Sequence, residues 1–242
     1  MSPTKKTYRF EISPQSVDFN YQVSLSSLTD LLLTAAGNNA EENGFGMRKL
    51  NDQGLSWVLL RFALEMETFP VQYETIHVDT WIESVGRASS TRHFCIRNNA
   101  LQIIGYATST WAMINHHTRR AQDLFSLGNI LGYASDETIP MEKPMKLNPS
   151  QGTIADVFQA KYSHIDFNHH VNTMRYVEWI SNCFTLEHYK THRVKRFDIN
   201  FMNEILFGDE VKVYMAVEEA ETYLFEMSCN DKMSCRARLV FN

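Results

Sequence analysis

The stretch Ile165-Asp166-Phe167-Asn168-His169-His170-Val171 has an earlier counterpart in Val17-Asp18-Phe19-Asn20-Tyr21-Gln22-Val23, at an offset of 166 − 18 = 148 residues. Each copy runs directly into a helical pattern. In the first, Leu25, Leu28, Leu31, Leu32, Ala35 and Ala36 share one face, with Ser24 or Ser26 as the cap. In the second, Met174, Val177, Ser181 and Phe184 form one stripe. Tyr176, Trp179, Ile180 and Cys183 nearly complete the circle, the pattern of a buried helix. A second register follows: Arg61-Phe62-Ala63-Leu64-Glu65-Met66 matches Arg196-Phe197-Asp198-Ile199-Asn200-Phe201, and Ile76-His77-Val78 matches Val211-Lys212-Val213, at an offset of 196 − 61 = 135. A surplus of 148 − 135 = 13 residues, placed as an extra loop around residues 44–54 of the first copy, reconciles the two registers. That one gap suffices favours internal duplication over chance similarity.

Period-2 runs follow in both copies, Ile76, Val78, Thr80, Ile82 and Val211, Val213, Met215, Val217, with further strands expected near residues 92–97, 105–114, 223–229 and 234–241. Each half thus reads as a strand, a polar loop, a long helix and then several antiparallel strands. Such a sheet must bury one face, and the helix is its cover. The expected fold class is α+β: two tandem hotdog repeats, each an antiparallel sheet wrapped around a long central helix. The N-terminal repeat is placed at residues 1–135, a connector at 136–154 and the C-terminal repeat at 155–242. Residues 116–156 hold Pro140, Pro144 and Pro149, half of the six prolines, as an extended connection would.

The 242 residues are 44% hydrophobic and 21% charged, an ordinary soluble balance. No apolar run approaches the ~18 residues of a spanning helix, since Asp30 and Arg61 interrupt the best candidates. The polar, basic first ten residues lack a signal core, and the four cysteines form neither a C-x-x-C pair nor a disulfide framework. A cytoplasmic location without membrane insertion is expected. The net charge of −5 speaks against nucleic acid as a partner.

The two loops differ where chemistry would sit: the second carries Asp166-x-Asn168-x-His170-x-Asn172, whereas the first has Asp18 and Asn20 but Gln22 in place of His170. A loop entering a helix N-terminus presents unpaired N–H groups and positive dipole, able to stabilise the oxyanion of an attacked carbonyl. An imidazole, an amide and a carboxylate there supply acid–base and orienting groups. The structural alternative is that Asp166 and Asn168 shape the turn; Asn172 reads as a helix cap. His170 is the catalytic candidate, because the turn signature persists in the first copy without it. No G-x-S-x-G elbow is present, and Gly44-Phe45-Gly46 is not a dinucleotide fingerprint. His116-His117 beside Arg119-Arg120 reads as a solvated turn, and Cys95, Cys229 and Cys235 as structural. No metal site is expected.

With these residues in hand, the chain resembles the acyl-acyl carrier protein thioesterases, which include plant plastid enzymes. The blocks that carry the likeness are residues 166–172 with Tyr176 and Trp179, Val78-Asp79-Thr80-Trp81, residues 86–92, and Asn115 with Thr118-Arg119-Arg120. The resemblance implies a double hotdog with its active site in the second repeat, no cofactor, and a phosphopantetheine-linked acyl chain on acyl carrier protein as substrate. It assigns catalysis to Asp166, Asn168, His170 and an acidic residue matching Glu204, 204 − 170 = 34 residues further on. The first-repeat counterpart of Glu204 is residue 204 − 135 = 69, a phenylalanine. Alternation from Phe197, Ile199 and Phe201 would point Asn203 inward instead, unless a bulge intervenes. Ile205 stands where many plant members carry a cysteine, which leaves attack by water, or by a carboxylate through a transient anhydride. No plastid-type leader is visible, as in a bacterial form.

Three further expectations follow. The first repeat, with no catalytic set to house, is expected to hold the acyl chain between helix 25–39 and strand 57–66, with Ala35, Ala36 and Ala63 lining it. Arg119 and Arg120, and Arg193, Lys195 and Arg196, are the basic clusters expected to receive the acidic carrier protein. A homodimer is left open. Hydrolysis of acyl-coenzyme A is the nearest rival activity. A hotdog enoyl-thioester hydratase usually shows D-x-N-P-x-H, which this shorter loop lacks, and a non-catalytic acyl-thioester sensor would need a dead histidine loop or a nucleic-acid-binding appendage.

Overall fold

The computed structural model describes residues 4–242. Contacts divide the chain into two compact units, residues 1–23 with 30–144 and residues 24–29 with 145–242. The first half runs β1 (Lys6–Glu11), α1 (Leu25–Glu42), α2 (Met47–Asn51), β2 (Leu55–Met66), β3 (Thr75–Val85), β4 (Ser90–Arg97) and β5 (Ile103–Asn115). The second runs β6 (Thr153–Gln159), α3 (Thr173–Ser181), α4 (Leu186–Thr191), β7 (Val194–Phe201), β8 (Glu210–Glu219), β9 (Thr222–Cys229) and β10 (Lys232–Phe241).

Strand order is the same in both. The first half pairs β1-β3-β4-β5-β2 and the second β6-β8-β9-β10-β7, every pair antiparallel. In the first unit α1 is tied to its sheet by Arg92, whose buried guanidinium donates to Asn39 Oδ1 at 2.9 Å and to Thr80 Oγ1 at 3.1 Å. Tyr8 on β1 donates to Glu42 at the end of the same helix. In the second unit α3 packs through Trp179, stacked on Phe158 of β6 at 5.3 Å, and Tyr176, edge-on to Phe201 of β7 at 5.4 Å. Both arrangements set a helix on an antiparallel sheet, as the alternating strands and apolar helix faces require.

The helices correct one expectation. Only the first half has a long helix: α1 spans 18 residues and α3 only 9. After Ser181 the chain turns through Asn182, Cys183 and Phe184, and Thr185 caps α4 by accepting from His188 N. Ser181 already bonds back to the Val177 carbonyl, and none of Asn, Cys, Phe or Thr is a strong helix former. Phe184 is therefore not on a helix stripe; it packs against His188, Tyr223, Phe225 and Phe241. The surplus of the first half is likewise not one loop, since α1 is longer than α3 by 18 − 9 = 9 residues and α2 lies in the segment read as loop. The stretch between the halves is less extended than its prolines suggest: it contains two 3-10 helices, Leu124–Leu127 and Asn129–Tyr133, before the extended run. No helix among the described residues is long and apolar enough to cross a membrane.

Candidate active site

The two loops fold alike, bond for bond. In the second, Asp166 Oδ1 accepts from the backbone N–H of Asn168 at 2.8 Å and of His170 at 3.3 Å. In the first, Asp18 Oδ1 accepts from Asn20 and Gln22 at 2.8 and 3.2 Å. His169 and Tyr21 occupy the same left-handed position, φ 64° and 60°, which the aspartate's two accepted bonds help to hold. Val171 N donates to Ile205 O, and Val23 N to Pro70 O, both at 2.8 Å. The facing turns repeat as well: Leu206 N donates to Asp209 Oδ2 as Val71 N does to Glu74 Oε2, and Ala160 N donates to Asp209 O as Ile12 N does to Glu74 O. These pairs keep the offsets of 148 and 135 residues seen in the sequence. Burial works against ionisation of Asp209, but bonds from Leu206 N–H, Cys229 and Asn230 outweigh it and lower its pKa.

On this shared frame the second loop presents His170, whose Nε2 lies 3.2 Å from Glu204 Oε2. Both side chains are partly open to solvent, 22% and 38% exposed. Glu204 reaches His170 because β7 ends at Phe201 and the backbone N–H groups of Met202 and Asn203 both donate to the Ser234 carbonyl. Two residues thus oppose one, as in a bulge, and the strand's alternation does not extend to Asn203. Asn203 instead donates through its amide to Met233 O. At the corresponding first-half positions stand Gln22 and Phe69, which cannot form such a pair.

Behind the pair, Asn172 caps α3 by accepting from Met174 N at 2.9 Å, and Ser24 plays that part for α1 by accepting from Ser27 N. The first turn of α3 therefore begins at Thr173, three residues after His170, with the positive end of the helix toward the loop. Tyr176, which the sequence offered only as part of a family block, supports the opposite wall. Burial pushes its phenol far above the usual range, against a backbone hydrogen bond at Ile205, the residue after Glu204. The signal for that role was its i+4 position from Asn172 on the helix face. His164, edge-on to Trp179, accepts from Lys161 N and lends its carbonyl to Asn172 N; burial and then Arg175 lower its pKa.

Asp166, Asn168, His170 and Glu204 are thus gathered in one place, with Asp166 demonstrably occupied in the turn. Ala35, Ala36 and Ala63 are buried in the first half, at 0, 5 and 0% exposure. Arg119, Arg120 and Lys195 are exposed. Arg193 is half-buried and donates to the carbonyls of Tyr189 and His192 at the end of α4. Arg196 departs from its expected place on a basic surface: it is buried, and its guanidinium grips the fully buried Asp198 at 2.6 and 3.0 Å. Residues two apart on a strand share a face, so the Arg-x-Asp spacing already contained that pairing.

All four thiols are held protonated, chiefly by burial: Cys183 and Cys229 are pushed up to about 11, and Cys95 and Cys235 are also raised. Cys183 lies past the end of α3 rather than on its helical face, with its Sγ against Trp179 O.

Residues 3–126 match the acyl-ACP thioesterase N-terminal domain and residues 148–242 the acyl-ACP thioesterase C-terminal domain. An oleoyl-acyl carrier protein thioesterase of Coriandrum sativum is 26% identical over 225 residues, covering 84% of this chain and 60% of its own length. A dodecanoyl-[acyl-carrier-protein] hydrolase of Cinnamomum camphora is 26% identical over 81% of this chain and 55% of its own. This chain therefore spans only part of the length of those plant relatives, both chloroplastic. Among solved structures, an acyl-ACP thioesterase from Bacteroides thetaiotaomicron superposes over 100% of both chains with a TM-score of 0.94 at 37% identity. A 12:0-ACP thioesterase from Umbellularia californica shares the fold with a TM-score of 0.85 at 20% identity over 100% of this chain and 98% of its own. Matched in both halves and in order, this chain belongs to the acyl-ACP thioesterase family.

Proposed function

We propose that the protein hydrolyses fatty acyl-acyl carrier protein thioesters to free fatty acid and carrier protein, the step that terminates acyl-chain synthesis. The observation that carries this reading is the His170–Glu204 contact of 3.2 Å at the mouth of α3, absent from the otherwise matching first-half loop. In this reading Glu204 and His170 take a proton from water as it attacks the thioester carbonyl, and Asn168 orients the water. The positive end of the α3 dipole, at the helix start beside the loop, offsets charge on the oxyanion. Collapse of the tetrahedral intermediate expels the phosphopantetheine thiolate, which recovers the proton from the imidazolium. Asp166 contributes by holding the turn. No thiol takes part, consistent with four cysteines kept protonated by burial.

The first half, in the same proposal, reads acyl length through the region of Ala35, Ala36 and Ala63. Arg119 and Arg120, with Arg193 and Lys195, are the positive charges that would face the acidic carrier protein. The deciding experiment is hydrolysis of an acyl-acyl carrier protein series against matched coenzyme A thioesters. Preference for the carrier-protein substrates supports the proposal. Equal or better turnover of the coenzyme A series would reassign the enzyme to acyl-coenzyme A, and hydration of an enoyl thioester without hydrolysis would overturn it.

A further inference from the structure

A second cluster of reactive side chains lies in the C-terminal unit, on elements that the thioester site does not use. α4 carries His188, and His192 follows one turn later at its C-cap, so both imidazoles fall on one side. Their rings stack with centroids 4.3 Å apart and planes 8° from parallel. Glu221, in the turn between β8 and β9, brings its Oε2 to 3.5 Å from His192 Nε2 and 4.0 Å from His188 Nε2. The ligating atoms of the three residues all lie within 4.8 Å of one another.

Hydrogen bonding does not account for this convergence. His188 Nε2 and Glu221 Oε2 are both shielded from solvent, and neither has a hydrogen-bond partner among the described residues. Shielded polar atoms are nearly always satisfied, and a pair of orphans facing each other asks for a missing partner. His192 points the same way. Its Nδ1 lies 3.1 Å from the His188 carbonyl oxygen and 2.9 Å from Thr191 Oγ1. Where Nδ1 donates its proton to that carbonyl, the neutral ring turns an Nε2 lone pair toward the carboxylate. In that neutral tautomer two lone pairs face each other unless a cation, either a proton or a metal ion, stands between them. An imidazole fixed through Nδ1–H to a backbone carbonyl, with Nε2 left to ligate, is the usual support of a metal-bound histidine.

The frame is rigid enough to hold such a site. Phe184 stacks on His188 at 4.9 Å and Phe241 meets it edge-on at 4.6 Å. Glu221 adopts φ 56°, and its carbonyl accepts from Phe241 N at 2.9 Å, which anchors the turn to the last strand. Zinc bonds of ~2.0–2.1 Å place tetrahedral ligands about 3.3–3.4 Å apart, so binding would require the two near-parallel imidazoles to tilt until their Nε2 atoms and the carboxylate face one point.

We propose that His188, His192 and Glu221 bind a divalent transition metal, with zinc as the ion best suited to a two-histidine, one-carboxylate set and the remaining position open to water. The ion would tie α4 to the β8–β9 turn and, through Phe241, to the end of the chain.

The full-length protein, stripped with a chelator, is titrated with zinc chloride by calorimetry and melted with and without the ion. About one ion per chain is expected, with a dissociation constant in the micromolar range or below and a raised melting temperature. Cobalt chloride should bind in its place and give visible ligand-field bands. His188→Ala, His192→Ala and Glu221→Gln should each weaken zinc binding at least about tenfold. Glu221→Gln guards against misfolding as the cause, since it keeps size and turn, and circular dichroism checks each variant. His170→Ala should bind zinc as the parent does. The proposal is overturned if zinc at about 100 μM neither binds nor raises the melting temperature. It is equally overturned if binding survives in all three variants or disappears with His170→Ala, either of which would locate the ion elsewhere.

Discussion

Residues 18–23 and 166–171 are two castings of one turn. Each has an aspartate accepting two backbone N–H groups, a non-glycine residue at positive φ and a return bond to the facing turn. They differ in what hangs from the frame: Gln22 and Phe69 in one, His170 and Glu204 in the other. The comparison shows that the aspartate and the main chain build the shape; in the proposed mechanism the two added side chains supply the reactivity. A turn shared with a loop that lacks the histidine is not itself evidence of catalysis, and the pair added to it is where the chemistry should be sought.

The sharpest way to break this asymmetry is to remove the added groups. His170→Ala, or Glu204→Gln, should lower kcat/KM by about a hundredfold or more, the usual cost of losing an acid–base group, while Gln22→Ala changes it by less than about twofold. Comparable losses from His170→Ala and Gln22→Ala would mean that both loops take part. The shared aspartates give a subtler contrast. Asp18→Ala and Asp166→Ala each leave two N–H groups without their acceptor, and each should cost about 1–2 kcal/mol in thermal or urea unfolding. Only Asp166→Ala should also depress turnover, by about tenfold, because His170 is carried on that turn. A stable, inactive Asp166→Ala protein would instead give the carboxylate a direct chemical role.

The first half can be tested for a task of its own. If it reads acyl length, Ala35→Leu or Ala63→Leu should shift the released fatty acids toward shorter chains. Each methylene excluded is worth about 0.8 kcal/mol, or about fourfold in preference. An unchanged profile in an active variant would leave these alanines as ordinary core. Charge reversal should act more weakly: Arg193→Glu with Lys195→Glu, or Arg119→Glu with Arg120→Glu, should raise KM for carrier-protein substrates about fivefold, with the effect fading in salt. An equal rise with coenzyme A substrates would remove the carrier-protein interpretation. The smallest change is expected from a variant with all four cysteines replaced by alanine, which should keep turnover within about threefold once folding is verified. Near-complete loss in folded Cys183→Ala protein would reinstate a thiol.

The duplicated turn and the antiparallel strands that follow each helix were legible in the sequence because their determinants are local: an aspartate two and four residues before the N–H groups it accepts, and alternation along β3 and β8. Glu204 was reachable only through the family resemblance, since alternation along the strand pointed to Asn203 and the bulge that redirects the chain depends on the Ser234 carbonyl of another strand. The end of α3 was not legible. Its apolar rhythm continues through Phe184, which packs half-buried among aromatic neighbours after the helix has stopped. Arg196 misled for the opposite reason. In a run with Lys190, Arg193 and Lys195 it looks like surface charge, and only the period-2 spacing to Asp198 identifies it as one of a buried pair.

The main-chain bonding of the two turns also bears on how such a protein changes over generations. A frame specified by backbone bonds and one aspartate is inherited intact even when the groups that react are lost. On the proposed mechanism, substitutions at Gln22 and Phe69 would leave the bonds that fold the turn untouched, and the first copy stands as a spare mould. The route to a second reactive centre is correspondingly short. It passes through Gln22→His and Phe69→Glu, two side chains set on a backbone that has already been kept in shape for them.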